Sequence, residues 1–134
     1  MTARVQRVEN AAVAIMIFVV FVAGGYPWWA LFALFLVFDL SALGYLGGAQ
    51  RGALFYNTVH NYTGPAVLGA VTAVGAAQGA NLWVVALVAS AWAFHVAVDR
   101  ALGYGLKTAD GFTHTHLGLI GKDRPSRADG RVAP

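Results

Sequence analysis

The sequence predicts an all-α integral membrane protein, folded as one bundle of four transmembrane helices. Of its 134 residues, 58% are hydrophobic and only 11% are charged, whereas soluble domains carry roughly 25% charged residues. The chain also contains four apolar runs, each close to the roughly 20 residues that a membrane span needs. We therefore predict a single domain over residues 1–121. The Pro-, Gly- and charge-rich tail 122–134 is predicted to be disordered.

The first two helices are predicted over residues 8–24 and 28–46. The first apolar run ends at a pair of glycines, residues 24–25. Pro27 then suits the first turn of the next helix, where its missing N–H group costs no hydrogen bond. A second glycine pair, residues 47–48, ends that helix.

The third and fourth helices are predicted over residues 53–77 and 82–102. Pro65 lies inside the third helix and predicts a kink there, because proline cannot donate the helical hydrogen bond. A short polar turn precedes the fourth helix, and residues 103–121 form a predicted cytoplasmic segment that contains histidines.

The positions of the basic residues predict the orientation of the bundle. Arg4 and Arg7 precede the first helix, Arg51 lies between the second and third, and the other six Lys and Arg residues end or follow the fourth. Four spans place all nine on one side, which the positive-inside rule assigns to the cytoplasm together with both termini. The membrane topology thus accounts for the net charge of +3. We expect this chain to lie in a lipid bilayer and not to bind nucleic acid.

The polar residues of the predicted helices lie at similar depths. Counted at roughly 1.5 Å per residue from the cytoplasmic helix ends, Asp39, His60 and His95 lie about 12 Å deep and Asp99 about 6 Å deep. A charge at the centre of a bilayer costs at least ~2.5 kcal/mol, so such residues are expected to face the interior and to pair. They are candidates for a functional site.

The residue types of this cluster favour a transition metal. The chain has no cysteine, and imidazole with carboxylate is the ligand set that zinc, iron and manganese accept without thiolates. The spacing His95-x-x-x-Asp99 puts two ligands on one helical face. Asp39 and His60 complete a predicted four-ligand set, and His116 is a predicted fifth ligand from the segment after the fourth helix.

Two carboxylates are candidates for general base catalysis, Glu9 at the start of the first helix and Asp39. Simpler structural interpretations are also compatible with the sequence. In these, Glu9 favours its own helix dipole, Asp99 pairs with Arg51 or Arg100, and each histidine is an interhelical hydrogen-bonding group. The predicted site includes five further polar residues: Asn57, Arg100, Tyr104, Lys107 and His114.

Four sequence blocks carry a resemblance to a known family: RVE at residues 7–9, FDLSALGYL around Asp39, FYNTVHNY around His60, and HVAVDRALGYGLK followed by GFTHTHLG. From Val5 to Gly121 the chain resembles the domain of unknown function 4260 family, small bacterial integral membrane proteins with four helices. The resemblance implies four spans in the bacterial cytoplasmic membrane. It also ranks His116 above His114 as a site residue, and it implies no activity.

Three functions from different classes are compatible with the sequence. The first is a membrane metal enzyme that acts on a lipid or another amphipathic small molecule. The second is a non-catalytic subunit or assembly factor, with a membrane-complex partner or a homo-oligomer, whose polar cluster only joins the helices. The third is a haem or chlorin binder that uses His60 and His95. An ion transporter is a weaker fourth, because the chain lacks the inverted repeats that alternating access uses.

Overall fold

Helices form most of the chain in the computed structural model, which describes residues 2–121; the tail predicted to be disordered lies outside these residues. The described part contains five α-helices, one 3-10 helix and one pair of two-residue antiparallel strands. In chain order these elements are α1 Thr2–Ala23, α2 Trp29–Asp39, the 3-10 helix Leu40–Gly47, α3 Ala49–Val59, α4 Thr63–Ala77, α5 Trp83–Leu102, β1 His114–Thr115 and β2 Gly118–Leu119.

Three helical stretches are long and apolar enough to cross a membrane: Thr2–Ala23, Trp29–Gly47 and Trp83–Leu102. Large apolar side chains are exposed along them, including Val20, Leu36 and Leu46. So many exposed apolar side chains indicate a surface that contacts lipid acyl chains. The fold is therefore mostly helical with membrane-length helices, as predicted, whereas the number of spans and the cytoplasmic position of the termini stay predictions.

The helix predicted over residues 53–77 is two helices in the structure, separated at residues 60–62. Pro65 explains the position of the break, because its ring excludes a helical carbonyl four residues earlier, at Asn61. Pro65 instead lies in the first turn of α4, where proline is tolerated. The Asn61 side chain accepts a hydrogen bond from Thr63 N–H at 2.8 Å and donates to the Thr58 carbonyl at 2.9 Å. The predicted kink is thus a complete break.

The core lies around α5, which packs against α1, α2 and α4. Ala91, Val96 and Ala97 of α5 are fully buried, and Leu31 of α2 lies in one core cluster with Ala91 and Ala97. Small residues let helix backbones approach closely, which is how packing stabilises helices in a membrane. At the end of α5, Arg7 Nε donates to the Ala101 carbonyl at 2.9 Å. This contact joins α1, which begins before its predicted span, to the end of α5.

Trp92 of α5 packs against the break and stabilises it. Its Nε1–H group donates to the Val59 carbonyl, and its ring stacks on Phe38 with centroids 5.7 Å apart. The ring also covers Gly64, where a Cβ atom would overlap it. Glycine at this position therefore permits the close approach of α4 and α5.

We expect Gly64→Ala to lower the free energy of unfolding by about 1–3 kcal/mol, because the added methyl group overpacks the contact with Trp92. Gly69→Ala in the same helix is the matched control, since a Cβ atom there meets no other atom within 4 Å and alanine is the better helix former. Thermal melting of both variants in a mild detergent measures the difference. Equal melting temperatures would contradict the packing role of Gly64.

Candidate metal centre

Four side chains from separate parts of the fold converge on one point. Asp39 ends α2, His60 lies in the break after α3, and His95 and Asp99 belong to α5. One ligand atom from each of the four lies within 4.8 Å of the others. The structure thus brings together the four residues that the sequence placed at similar depth.

The distances within this His/Asp cluster are short. The two Nε2 atoms of His60 and His95 are 2.9 Å apart. His60 Nε2 lies 3.4 Å from Asp99 Oδ2 and 3.5 Å from Asp39 Oδ1. His95 Nε2 lies 3.7 Å from Asp39 Oδ1 and 3.9 Å from Asp99 Oδ2. Every one of these atoms is a metal ligand type.

The hydrogen bond on the far side of His60 determines which ring nitrogen has the lone pair. His60 Nδ1 lies 3.0 Å from the Tyr56 carbonyl oxygen, and a carbonyl only accepts, so Nδ1 carries the proton. In the neutral ring Nε2 is then unprotonated, and its lone pair points into the His/Asp cluster. Metal-binding histidines are oriented by this type of hydrogen bond.

Aromatic side chains surround the cluster. The Tyr56 hydroxyl donates to Asp99 Oδ2 at 3.0 Å, and its ring stacks on the His60 ring with centroids 3.6 Å apart. The rings of Phe35 and Phe38 lie 4.4 and 5.5 Å from that of His95. These contacts fix the orientation of three of the four side chains.

The cluster is accessible mainly on the side of Asp39. His60, His95 and Asp99 are buried, whereas the Asp39 side chain is 44% exposed. Its neighbours Leu36, Leu40 and Leu43 are also exposed. The accessible ligand therefore lies in an apolar surface of the protein.

No described Lys or Arg neutralises the two carboxylates through a salt bridge. Within residues 2–121, the partners of Asp39 and Asp99 within salt-bridge distance are the two histidines. The alternative interpretation that pairs Asp99 with Arg51 or Arg100 is therefore not what the structure shows. Two carboxylates and at least one imidazole lone pair converge, an arrangement that attracts a cation.

The segment after α5 folds back onto α3 and is held there by Asn57. The Asn57 side chain donates from Nδ2 to the Lys107 carbonyl at 2.8 Å and accepts from Lys107 N–H at 2.7 Å. Lys107 also bridges to Thr115 of β1. Asn57, predicted as part of the polar site, is thus the anchor of this segment.

Lys107, a predicted polar site residue, is buried. Its Nζ lies 4.1 Å from the ring centre of Phe112, 4.8 Å from that of Tyr56 and 5.7 Å from that of Tyr104. It has no hydrogen-bond partner among the described residues. Burial lowers the pKa of Lys107 to about 8, and the nearby Asp99 carboxylate opposes this shift. Aromatic faces stabilise a desolvated ammonium of this kind.

Three predicted site residues lie away from the cluster. His116 is exposed, and its Nδ1 accepts a hydrogen bond from Leu106 N–H at 2.9 Å. His114 pairs with Leu119 in the β1–β2 hairpin, and Glu9 is exposed on α1. His116 and Glu9 are not among the residues that converge in the cluster, so their roles as a ligand and as a base stay predictions.

Tyr56 was not among the predicted site residues, although it bonds Asp99 and stacks on His60. Tyr56 lies four residues before His60, so both occupy one face of α3. That spacing was the available signal, and it resembles the His95–Asp99 spacing in α5. Of the other predicted residues, Arg100 reaches the His60 carbonyl at 3.4 Å and Tyr104 covers Lys107.

The fold and the site together define a class of protein: a helical protein with membrane-length helices that carries a buried cluster of two histidines and two aspartates. The chain belongs to the DUF4260 family, a domain of unknown function whose family model matches residues 3–120. The resemblance given by the four sequence blocks is thereby confirmed. No curated protein and no solved structure matches the chain.

We expect Asn57→Ala to release the segment 103–121 from α3. Two hydrogen bonds of about 1 kcal/mol each are lost, so local opening becomes easier by about 2 kcal/mol. Hydrogen–deuterium exchange of the full chain in detergent measures this as faster exchange around Lys107. Thr58→Ala is the control, because the exposed Thr58 hydroxyl bonds only the nearby Leu54 carbonyl. Unchanged exchange in Asn57→Ala would contradict the anchoring role.

Proposed function

We propose that this chain is a multi-pass protein of the bacterial cytoplasmic membrane that binds a transition metal ion through Asp39, His60, His95 and Asp99. We further propose that this ion belongs to a small membrane enzyme whose substrate is lipid-like. The convergence of four ligand atoms within 4.8 Å carries the proposal.

The distances within the cluster suit a coordination shell. Ligands bound about 2.0–2.1 Å from zinc in a tetrahedron lie about 3.3 Å from one another. The five measured separations run from 2.9 to 3.9 Å, so they bracket this value. The sixth separation, between the two carboxylates, is at most 4.8 Å, so an ion at the centre requires the side chains to adjust around it.

The charges support a divalent cation. Two carboxylates in a largely buried cluster repel each other unless a positive charge lies between them. Neutral histidine with carboxylate suits zinc, iron and manganese. The Tyr56 carbonyl and hydroxyl supply the outer hydrogen bonds that orient metal-bound histidine and carboxylate.

Access at Asp39 supports an enzyme and indicates its substrate class. A metal ion there would polarise a bound oxygen atom or activate water. The substrate reaches the ion beside the exposed leucines around Asp39, which favours a molecule with an apolar part. Asp39 is the one ligand with an exposed carboxylate, so it is the residue that would accept a proton at the open side.

The geometry disfavours haem or chlorin. A macrocycle held by His60 and His95 would lie between the two rings, but their Nε2 atoms are only 2.9 Å apart. The same distance favours the second candidate, a non-catalytic subunit, because it is also a hydrogen-bond distance between two imidazoles. Metal analysis separates this structural network from the metal site.

Elemental analysis of the protein purified in mild detergent without a histidine tag is expected to find about one zinc, iron or manganese ion per chain. His95→Ala is expected to lose the ion, because the cluster then lacks a buried ligand. His114→Ala and His116→Ala are the controls and keep it. A metal-free wild-type protein that binds none of the three ions on titration would refute the proposal and favour the structural network.

We expect Tyr56→Phe to weaken metal affinity by about 10–100-fold, the usual effect of removing an outer hydrogen bond to a metal ligand. The variant loses the donor to Asp99 and keeps the ring that stacks on His60. Competition with a chelating dye measures the affinity, and Tyr104→Phe is the matched control because Tyr104 contacts Lys107 and not the cluster. Equal affinities in the two variants would contradict a role of Tyr56 in the site.

A further inference from the structure

Two cavities lie along one side of α1, away from Asp39. The first, of about 470 Å³, is formed by the first half of α1 with Tyr62 and Arg100. The second, of about 250 Å³, is formed by the second half of α1 with Pro65 and Gly69 of α4 and the middle of α5. Both thus lie where α1 and α4 flank α5.

The two cavities are aligned along one face of α1, and together they are called the groove. The residues of α1 that line them recur every three or four positions, at 2, 5, 6, 9 and 10 and then at 16, 17, 20 and 21. Residues with this spacing form one stripe on a helix. From Glu9 to Val20 the stripe runs about 16 Å, close to half of the roughly 30 Å hydrocarbon thickness of a bilayer.

The first end of the groove is polar and contains both charges. Glu9 and Arg100 line the same cavity, yet no salt bridge joins them in the described structure. The Arg100 guanidinium lies 5.8 Å from the centre of the Tyr62 ring, and the hydrogen bond it makes, to the His60 carbonyl, is long at 3.4 Å. Its remaining N–H groups face a cavity that also holds a carboxylate.

The second end of the groove is apolar. Met16, Ile17 and Val20 form its wall on α1, and Ala89 and Ala93 form its floor on α5. Gly69 leaves space on α4, where a Cβ atom would meet no other atom within 4 Å. A groove of this shape accommodates an acyl chain.

We infer that this groove binds a zwitterionic aminophospholipid, with the phosphate at Arg100, the primary ammonium at Glu9 and one acyl chain along the apolar end. An anionic lipid would place a second negative charge beside Glu9, and a cationic amphiphile would place a second positive charge beside Arg100. Both arrangements are repulsive. A quaternary ammonium has no N–H group to donate to Glu9, so a primary amine fits better. This inference is independent of the metal site.

Native mass spectrometry of the full chain tests the inference with three lipids at equal concentration: dioleoylphosphatidylethanolamine, dioleoylphosphatidylglycerol and dioleoylphosphatidylcholine. We expect phosphatidylethanolamine to be retained about fivefold more than either of the others, as one partly exposed ion pair predicts. In Glu9→Gln the preference over phosphatidylglycerol is expected to disappear. Arg100→Gln is expected to lower the retention of both.

The acyl-chain end is tested with Gly69→Leu, which places a side chain in the groove and is expected to lower the retention of all three lipids. Ala66→Leu is the matched control, because Ala66 is exposed on the same helix and does not line the groove. Unchanged melting temperatures show that the variants fold. Equal retention of the three lipids in the wild type, or no effect of Glu9→Gln and Gly69→Leu, would overturn the inference and leave only lipids that surround any membrane helix.

Discussion

The break between α3 and α4 is the constraint on which the rest of the structure depends, because it leaves the carbonyl groups of residues 57–59 in α3 without helical partners. Side chains supply donors to all of them. Asn61 Nδ2 donates to the carbonyls of residues 57 and 58, and Trp92 Nε1 donates to that of residue 59. His60 Nδ1 and Arg100 donate to the neighbouring carbonyls of residues 56 and 60. Two of these donors come from α5, so the contacts that complete the end of α3 also dock α5 and turn the His60 ring toward it.

Burial and hydrogen bonding at the cluster follow from this arrangement. Once α5 is docked, His95 and Asp99 are buried, and an unpaired polar group there would cost several kcal/mol. Asp99 accepts from the Tyr56 hydroxyl, and His60 faces both residues. Because the residue that stacks on His60 also bonds Asp99, the two ligands are held by one side chain. Asp39, at the junction of α2 and the 3-10 helix, is left at the exposed edge of the cluster.

The sequence predicted the cluster and not its surroundings, for a physical reason. The rise per residue of a helix is constant, so the depth of each of the four residues follows from its position in the chain. The four-residue spacing of His95 and Asp99 places both on one face of α5. For the hairpin of β1 and β2, no such periodicity determines where the side chains point. Its backbone pairing directs His116 toward Leu106, and sequence spacing alone does not determine that direction. The break before Pro65, at residues 60–62, was expected only as a kink, because the side chains that stabilise it, such as Trp92, lie far away in the chain.

The proposed lipid groove and the proposed metal site meet at His60. The strengths of the two contacts that His60 makes decide whether the two sites influence each other. Arg100 reaches the His60 carbonyl at 3.4 Å, near the limit of a hydrogen bond, whereas His60 Nδ1 bonds the Tyr56 carbonyl at 3.0 Å and the ring stacks on Tyr56. A phosphate that draws the guanidinium away therefore removes a weak contact from the backbone and none from the imidazole. The His60 ring would keep its orientation, so a lipid bound in the proposed groove would leave the geometry of the His/Asp cluster unchanged.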